Sequence, residues 1–282
     1  MKPTFIKIQR LLAYSNLWVA LSVAALTWLS GFLLESQNWS YILFTFFSTL
    51  GFYSYSRFYS GATLSKNESK VTRWQNNKSW VLVCIIFIST AISVYLALSF
   101  STEAIVMLAV AAFISLIYPL PYILGRWPGI RHIAGLKLFI IALVWTTVTF
   151  VVPAIHTEWN HQTWILAVQR FFIITAITIP FDVRDQKIDH PDIATLPMVI
   201  GSKKALLAAV LMILGVELSI LIQYFLHHYY TGLITFGLII GLEIMMVLIH
   251  KSYPVKNDLH YSFWLEGTPI YLALLVYLFH LF

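Results

Sequence analysis

Three aspartates, Asp182, Asp185 and Asp189, stand at i, i+3 and i+7 in the run Phe181-Asp182-Val183-Arg184-Asp185-Gln186-Lys187-Ile188-Asp189. A helix over this run places all three carboxylates on one face. Four of the 12 acidic residues of the chain crowd into positions 182–192. Like charges on one stripe repel unless a cation stands among them. Carboxylate oxygens beside a membrane interface suit Mg²⁺, which commonly bridges protein carboxylates to substrate phosphates. A solvated helix face neutralised from within by Arg184 and Lys187 fits the same spacing, and the two readings stay open at this level.

The elements that carry this stripe follow from composition. Of 282 residues, 59% are hydrophobic and only 11% charged, less than half the share usual in soluble proteins. So few charges cannot cover the surface of a soluble protein. Composition therefore excludes a soluble enzyme, a disordered chain and a nucleic-acid-binding module, and predicts a polytopic membrane protein. Apolar runs between polar breaks fall near 11–34, 39–58, 79–100, 103–124, 136–154, 162–181, 204–226, 231–250 and 259–281. At roughly 20 residues per span, nine helices take up about 180 residues and leave short connections. The expected fold is all-α: one transmembrane domain over residues 1–282. The first run is too long for a signal-peptide core and reads as a span.

Charge distribution supports an odd number of spans. All but one of the 18 Lys and Arg residues lie in the N-terminal tail or in every second connection. The intervening connections near 35–38, 101–102, 155–161 and 227–230 hold none. By the positive-inside rule the N-terminus and the charged loops are cytoplasmic and the C-terminus is outside. The net charge of +6 then anchors loops to anionic lipid and needs no acidic partner. Cys84 has no second cysteine with which to form an internal disulfide.

The remaining cation, Arg170, is expected inside the sixth span, where charges are costly and usually paired. Glu217 in the seventh span lies at similar depth, and an Arg170–Glu217 pair is the expectation. Glu243 and Glu266 could line a cavity open to the cytoplasm or make helix-packing hydrogen bonds. The nine histidines lack the spacing and acidic company of a zinc site. Gly237 and Gly241, one turn apart, read as a helix-packing pair.

The run Ile179–Ala205, with Asp182-x-x-Asp185-x-x-x-Asp189, then Thr195-Leu196-Pro197 and Gly201, resembles the second aspartate-rich motif of the UbiA superfamily of intramembrane prenyltransferases. Weaker parallels are Tyr118-Pro119-Leu120-Pro121 ending the fourth span, Arg126 and Arg131 after it, and Phe263-Trp264-Leu265-Glu266-Gly267 in the ninth. The resemblance implies nine helices around a central cavity, with the motif's metal-binding pair at Asp185 and Asp189 and Asp182 assisting. It also exposes a departure. The family's first motif, Asn-Asp-x-x-Asp-x-x-x-Asp at the end of the second span, is replaced by Phe52-Tyr53-Ser54-Tyr55-Ser56-Arg57-Phe58-Tyr59-Ser60, and no aspartate precedes Asp182. One half of a two-metal diphosphate clamp is missing.

Two functions follow as expectations. The first is a transferase that moves a prenyl group from an isoprenoid diphosphate, with Mg²⁺, one ion only, at Asp185, Asp189 and Asp182. Lys66, Lys70, Arg73, Arg126 and Arg131 would contact phosphate, and Tyr53 and Tyr118 could face a developing allylic cation. Arg57, near where the first motif's acids belong, would either pair with the acid stripe or bind a phosphate oxygen as a fixed charge. The second is a non-catalytic subunit that keeps the fold as a lipid-binding or scaffold protein. Expected partners are an isoprenoid diphosphate or polyprenyl lipid and membrane lipid, with no nucleic acid. The expected location is the bacterial inner membrane, with the site facing the cytoplasm. The acid stripe is expected at the mouth of a cavity formed by spans two, four and six.

Overall fold

The computed structural model describes residues 3–63, 79–117, 122–123, 127–128, 135–186 and 195–282. Asp189, Lys66, Lys70, Arg73, Tyr118, Arg126 and Arg131 lie outside them. The elements, in chain order, are α1 (Pro3–Tyr14), α2 (Leu17–Leu33), α3 (Trp39–Thr63), α4 (Ser79–Ala97), α5 (Thr102–Ile117), α6 (Leu136–Thr146), α7 (His161–Asp185), the short α8 (Leu196–Ile200), α9 (Ser202–His227), α10 (Gly232–His250) and α11 (Thr268–His280). A π-helical turn, Thr147–Val151, continues α6, and another, His260–Leu265, leads into α11. The only extended pair among the described residues joins Tyr122–Ile123 to Trp127–Pro128 in antiparallel register.

Among the described residues, five stretches are long and apolar enough to cross a membrane: Trp80–Ala97, His161–Asp185, Ser202–His227, Gly232–His250 and His260–His280. The pair α1 and α2, bent by 71° at Ser15–Asn16, qualifies if counted as one span. The 25 residues of α3 are less apolar because they include five serines, three threonines and Arg57; Thr45 and Ser54 are turned inward, fully buried. Large apolar side chains point outward: Phe87 is 73% exposed and Leu98 77%. A water-soluble protein could not tolerate such a surface; an integral membrane protein turns it to lipid.

The helices pack in a continuous series. α2 packs on α3, α3 on α4, α6 on α7, α7 on α9, α9 on α10, α10 on α11, and α11 returns to α2. Tyr41, Phe100, Leu108 and Val152 join α3, the α4–α5 connection and the end of α6 in a second core cluster. Asn160 caps α7 by accepting from the backbone N–H groups of Gln162 (3.0 Å) and Thr163 (3.1 Å), satisfying donors that have no partner inside the helix.

α10 and α11 approach closely through the pair of glycines. A Cβ at Gly241 would stand 2.5 Å from Leu272 Cδ1 and 3.0 Å from Leu272 Cα, and one at Gly237 3.1 Å from the Leu275 carbonyl. The small-residue pair read from the sequence is thus a helix contact. Gly241→Val is expected to cost about 1–3 kcal/mol through overpacking, seen as a lowered unfolding midpoint in detergent. Gly215→Val, where a Cβ meets nothing within 4 Å, should cost far less.

The expected Arg170–Glu217 pair is corrected. Arg170 is buried, and its Nη1 donates to the Leu26 carbonyl (3.0 Å) and its Nη2 to Ser30 Oγ (2.9 Å). Its neighbour Gln169 faces α9, donating to Ser219 Oγ and Gln223 Oε1 at 2.7 Å each. One residue is about 100° of helix rotation, so Arg170 turns to α2 instead. Glu217 is buried near Glu243, and its Oε1 has no hydrogen-bond partner among the described residues.

Candidate functional site

Asp182 and Asp185 lie in the last turn of α7, two and five residues after Pro180, which the helix accommodates. Asp182 is fully buried at 1% exposure, and its Oδ1 pairs with Lys137 Nζ. Lys137 sits in the first turn of α6, two residues after Gly135, which lies in the left-handed region at φ 72°. That conformation suits a residue without a Cβ and lets the chain enter α6 with Lys137 directed at α7.

Asp185 meets a different cation. Arg184 Nε donates to its Oδ1 (2.7 Å) and Nη2 to its Oδ2 (3.0 Å), a bidentate pair. The same guanidinium lies over the rings of Phe181 and Tyr261, at 5.2 and 5.4 Å from their centroids. Tyr261 is itself anchored: its hydroxyl donates to the Ser252 carbonyl (3.1 Å) and accepts from the Lys256 N–H (3.3 Å). Gln186 Oε1 accepts from Ser202 Oγ (2.8 Å), tying the end of α7 to the start of α9.

The final span reaches the site through Glu266. The positive charges of Arg57 and Arg184 both act on its carboxylate. The backbone around Glu266 is bound to α2: Trp18 Nε1 donates to the Phe263 carbonyl (2.7 Å), and Ser22 Oγ to the Glu266 carbonyl (2.6 Å). Trp18 and Phe263 stack at 4.3 Å and 9°. A Cβ at Gly267 would fall 2.6 Å from Trp18 Nε1, so only glycine fits there. The Phe263-to-Gly267 run is where the last span meets the first.

A cavity of about 490 Å³ adjoins this end of the bundle, walled by α3, α4, α5 and α6 and touched by Val23 of α2. Phe47, Phe52 and Trp145 give it aromatic walls, and Ser48, Thr90, Ser93 and Ser115 a few hydroxyls. Tyr53 lines it, and Arg57 is exposed one helical turn further along α3. The expectation of a cavity built from spans two, four and six is met in part. Spans two and four contribute, but spans three and five complete the wall, and neither Asp182 nor Asp185 lines it. Burial of Asp182 beside Lys137 draws the acid stripe towards α6 instead.

Arg57 makes no ion pair with Asp185, whose two oxygens are held by Arg184; the carboxylate its charge reaches is Glu266. Among the described residues no three His, Cys, Asp or Glu side chains are grouped to hold a metal ion. Asp182 and Asp185 have the oxygen chemistry that Mg²⁺ requires, yet each is already engaged by a cation, so these two alone do not fit the ion. Asp189 lies outside the described residues. Sequence reasoning overlooked Lys137 and Tyr261 as parts of this site. The available signal was slight: a lysine two residues after a glycine that opens a span, and a tyrosine two residues before Phe263.

No protein-family model and no curated protein matches the sequence. Solved structures do match in three dimensions. A UbiA homolog from Aeropyrum pernix K1 in its apo form is 12% identical, with a TM-score of 0.61 over 93% of this chain and 96% of that one. A UbiA homolog from Archaeoglobus fulgidus bound to GPP and Mg²⁺ is 13% identical, with a TM-score of 0.67 over 95% and 98%. The Archaeoglobus fulgidus homolog bound to DMAPP and Mg²⁺ is 14% identical, with a TM-score of 0.61 over 98% of each chain. At this identity the likeness is one of fold, and it runs the length of the molecule.

Proposed function

We infer that the chain is a divergent member of the UbiA superfamily, a single transmembrane domain that binds an isoprenoid diphosphate and moves its prenyl group to an acceptor. The observation that carries this reading is the placement of Arg57, Arg184 and Glu266 around the end of α7, beside a cavity whose wall includes Tyr53, in a fold shared with homologs solved with GPP or DMAPP and Mg²⁺. The apolar chain would lie in the cavity. Arg57, exposed at its edge, would hold a phosphate oxygen in place of the ion that the missing first motif would bind. Lys66, Lys70, Arg73, Arg126 and Arg131 would add charge, and Tyr53 and Tyr118 would turn ring faces to the allylic carbon. Asp185 and Asp189, with Asp182 beside them, would hold Mg²⁺ once Arg184 and Lys137 give up their carboxylates, and the ion would supply positive charge opposite the diphosphate. Pyrophosphate release from geranyl diphosphate by the purified protein in native lipid tests the reaction. Release above background that is lost in Asp185→Asn supports it.

One observation favours a second reading. Lys137 and Arg184 already neutralise Asp182 and Asp185, which suits a lipid-binding or scaffold subunit that has given up the reaction. Such a protein binds isoprenoid lipid and releases no pyrophosphate with any acceptor.

This reading also takes the chain to cross a bacterial inner membrane nine times, with the N-terminus and the acid stripe on the cytoplasmic side. A reporter fused after Phe282 should then report the outside, and one inserted near Asn76 the inside. A cytoplasmic signal from both positions would refute the nine-span order.

A further inference from the structure

At the end of the bundle away from Asp182, α7 and α9 part to form a second recess of about 780 Å³. It is of the size of a small-molecule site. Its walls are Trp164, Val168 and Phe172 from α7 and Ala208, Leu211 and Gly215 from α9. The two small residues of α9 hollow the wall. A Cβ at Gly215 would meet nothing within 4 Å, so that glycine serves no helix contact.

The floor is polar. Gln169, Ser219 and Gln223 line it, joined by a directed chain of hydrogen bonds. Gln169 Nε2 donates to Ser219 Oγ and to Gln223 Oε1, both at 2.7 Å, and Ser219 Oγ donates to the Val216 carbonyl (2.8 Å). Because Gln223 accepts through Oε1, its Nε2 is directed elsewhere, and rotating the amide would set two donors against each other. Gln223 is 0% exposed, and its Nε2 has no hydrogen-bond partner among the described residues. A buried donor without an acceptor is costly, and the apolar walls offer it none.

Depth narrows the class of ligand. Gln223 is four residues from His227, where α9 ends, or about 6 Å at helical rise. Trp164 is three residues from His161, where α7 begins. The floor therefore lies just inside the membrane boundary, at the level where aromatic residues gather and where the ester carbonyls of a glycerolipid lie.

We propose that the α7–α9 recess is a binding site for a diacyl glycerophospholipid, one acyl chain of which runs past Gly215 and Ala208 towards the bilayer centre, while its ester carbonyl opens the closed floor and accepts from Gln223 Nε2. The site is independent of the isoprenoid diphosphate reading, because it shares no residue with the Asp182 end.

Native mass spectrometry of the detergent-released protein tests it, with diacyl phosphatidylethanolamine compared with its dialkyl ether analogue. The two lipids differ only in the carbonyls. One diacyl lipid should be retained with about tenfold higher affinity than the ether lipid, the worth of one neutral hydrogen bond. Gln223→Met should bind both lipids alike, and Gly215→Phe, which fills the recess, should lose the retained lipid. Equal retention of the two lipids by the unaltered protein, retention of neither, or a dimer with the recess covered by a second copy would each overturn the proposal. If either variant fails to fold, the comparison of the two lipids on the unaltered protein is decisive by itself.

Discussion

Lys137→Met should lower stability by about 3 kcal/mol, the largest effect expected of any single substitution at the end of α7. Removing one partner of a buried ion pair leaves the other charge without compensation, at a typical cost of about 3–5 kcal/mol. Asp182 is 1% exposed and Lys137 19%, so the carboxylate bears most of that cost and some solvent relief reaches the lysine side. The double substitution Lys137→Met with Asp182→Leu removes both charges and should recover most of the loss. Unfolding midpoints of the two single variants and the double variant in detergent give the coupling. If Lys137→Met is no worse than Lys251→Met, a change on the exposed end of α10, the pair does not hold α6 to α7.

Arg57→Ala should weaken binding of an isoprenoid diphosphate by about tenfold to a hundredfold, with little change in stability. Charge-assisted hydrogen bonds to phosphate are worth about 1.5–3 kcal/mol, and exposed side chains contribute little to folding. The prediction rests on placement. Arg57 is exposed, one turn from Tyr53 in the cavity wall, and no carboxylate among the described residues forms an ion pair with it. Arg57→Lys should restore part of the affinity, since a lysine keeps the charge and loses the bidentate fork. Affinities measured by titration calorimetry check both variants. Unchanged affinity in Arg57→Ala would mean that α3 does not deliver its cation to the substrate.

The helical class and the membrane setting were legible because composition acts over the whole chain. So was the contact of Gly237 and Gly241, since a small-residue pair one turn apart has few other uses. The partner of Arg170 was not legible. Depth along a helix follows from counting residues, but the neighbour on each face depends on how the helices pack, and that placed α2 rather than Glu217 beside Arg170. The acid stripe was half legible. Its spacing marks Asp182 and Asp185 as one face, yet identical side chains three residues apart end in different settings. Asp182 is buried against a lysine 45 residues earlier in the chain, whereas Asp185 is held by the arginine next to it. A long-range pair of that kind leaves no local pattern.

Equilibrium binding of radiolabelled geranyl diphosphate to the purified protein, with Mg²⁺ and again with excess EDTA, decides whether the end of α7 is a diphosphate site. Saturable binding should occur with Mg²⁺, weaken at least tenfold in EDTA, and weaken similarly in Asp185→Asn with Mg²⁺ present. Saturable binding that ignores both EDTA and Asp185→Asn would leave a lipid site without a metal at Asp185. No saturable binding under either condition, in protein that remains folded, would contradict the isoprenoid diphosphate assignment altogether.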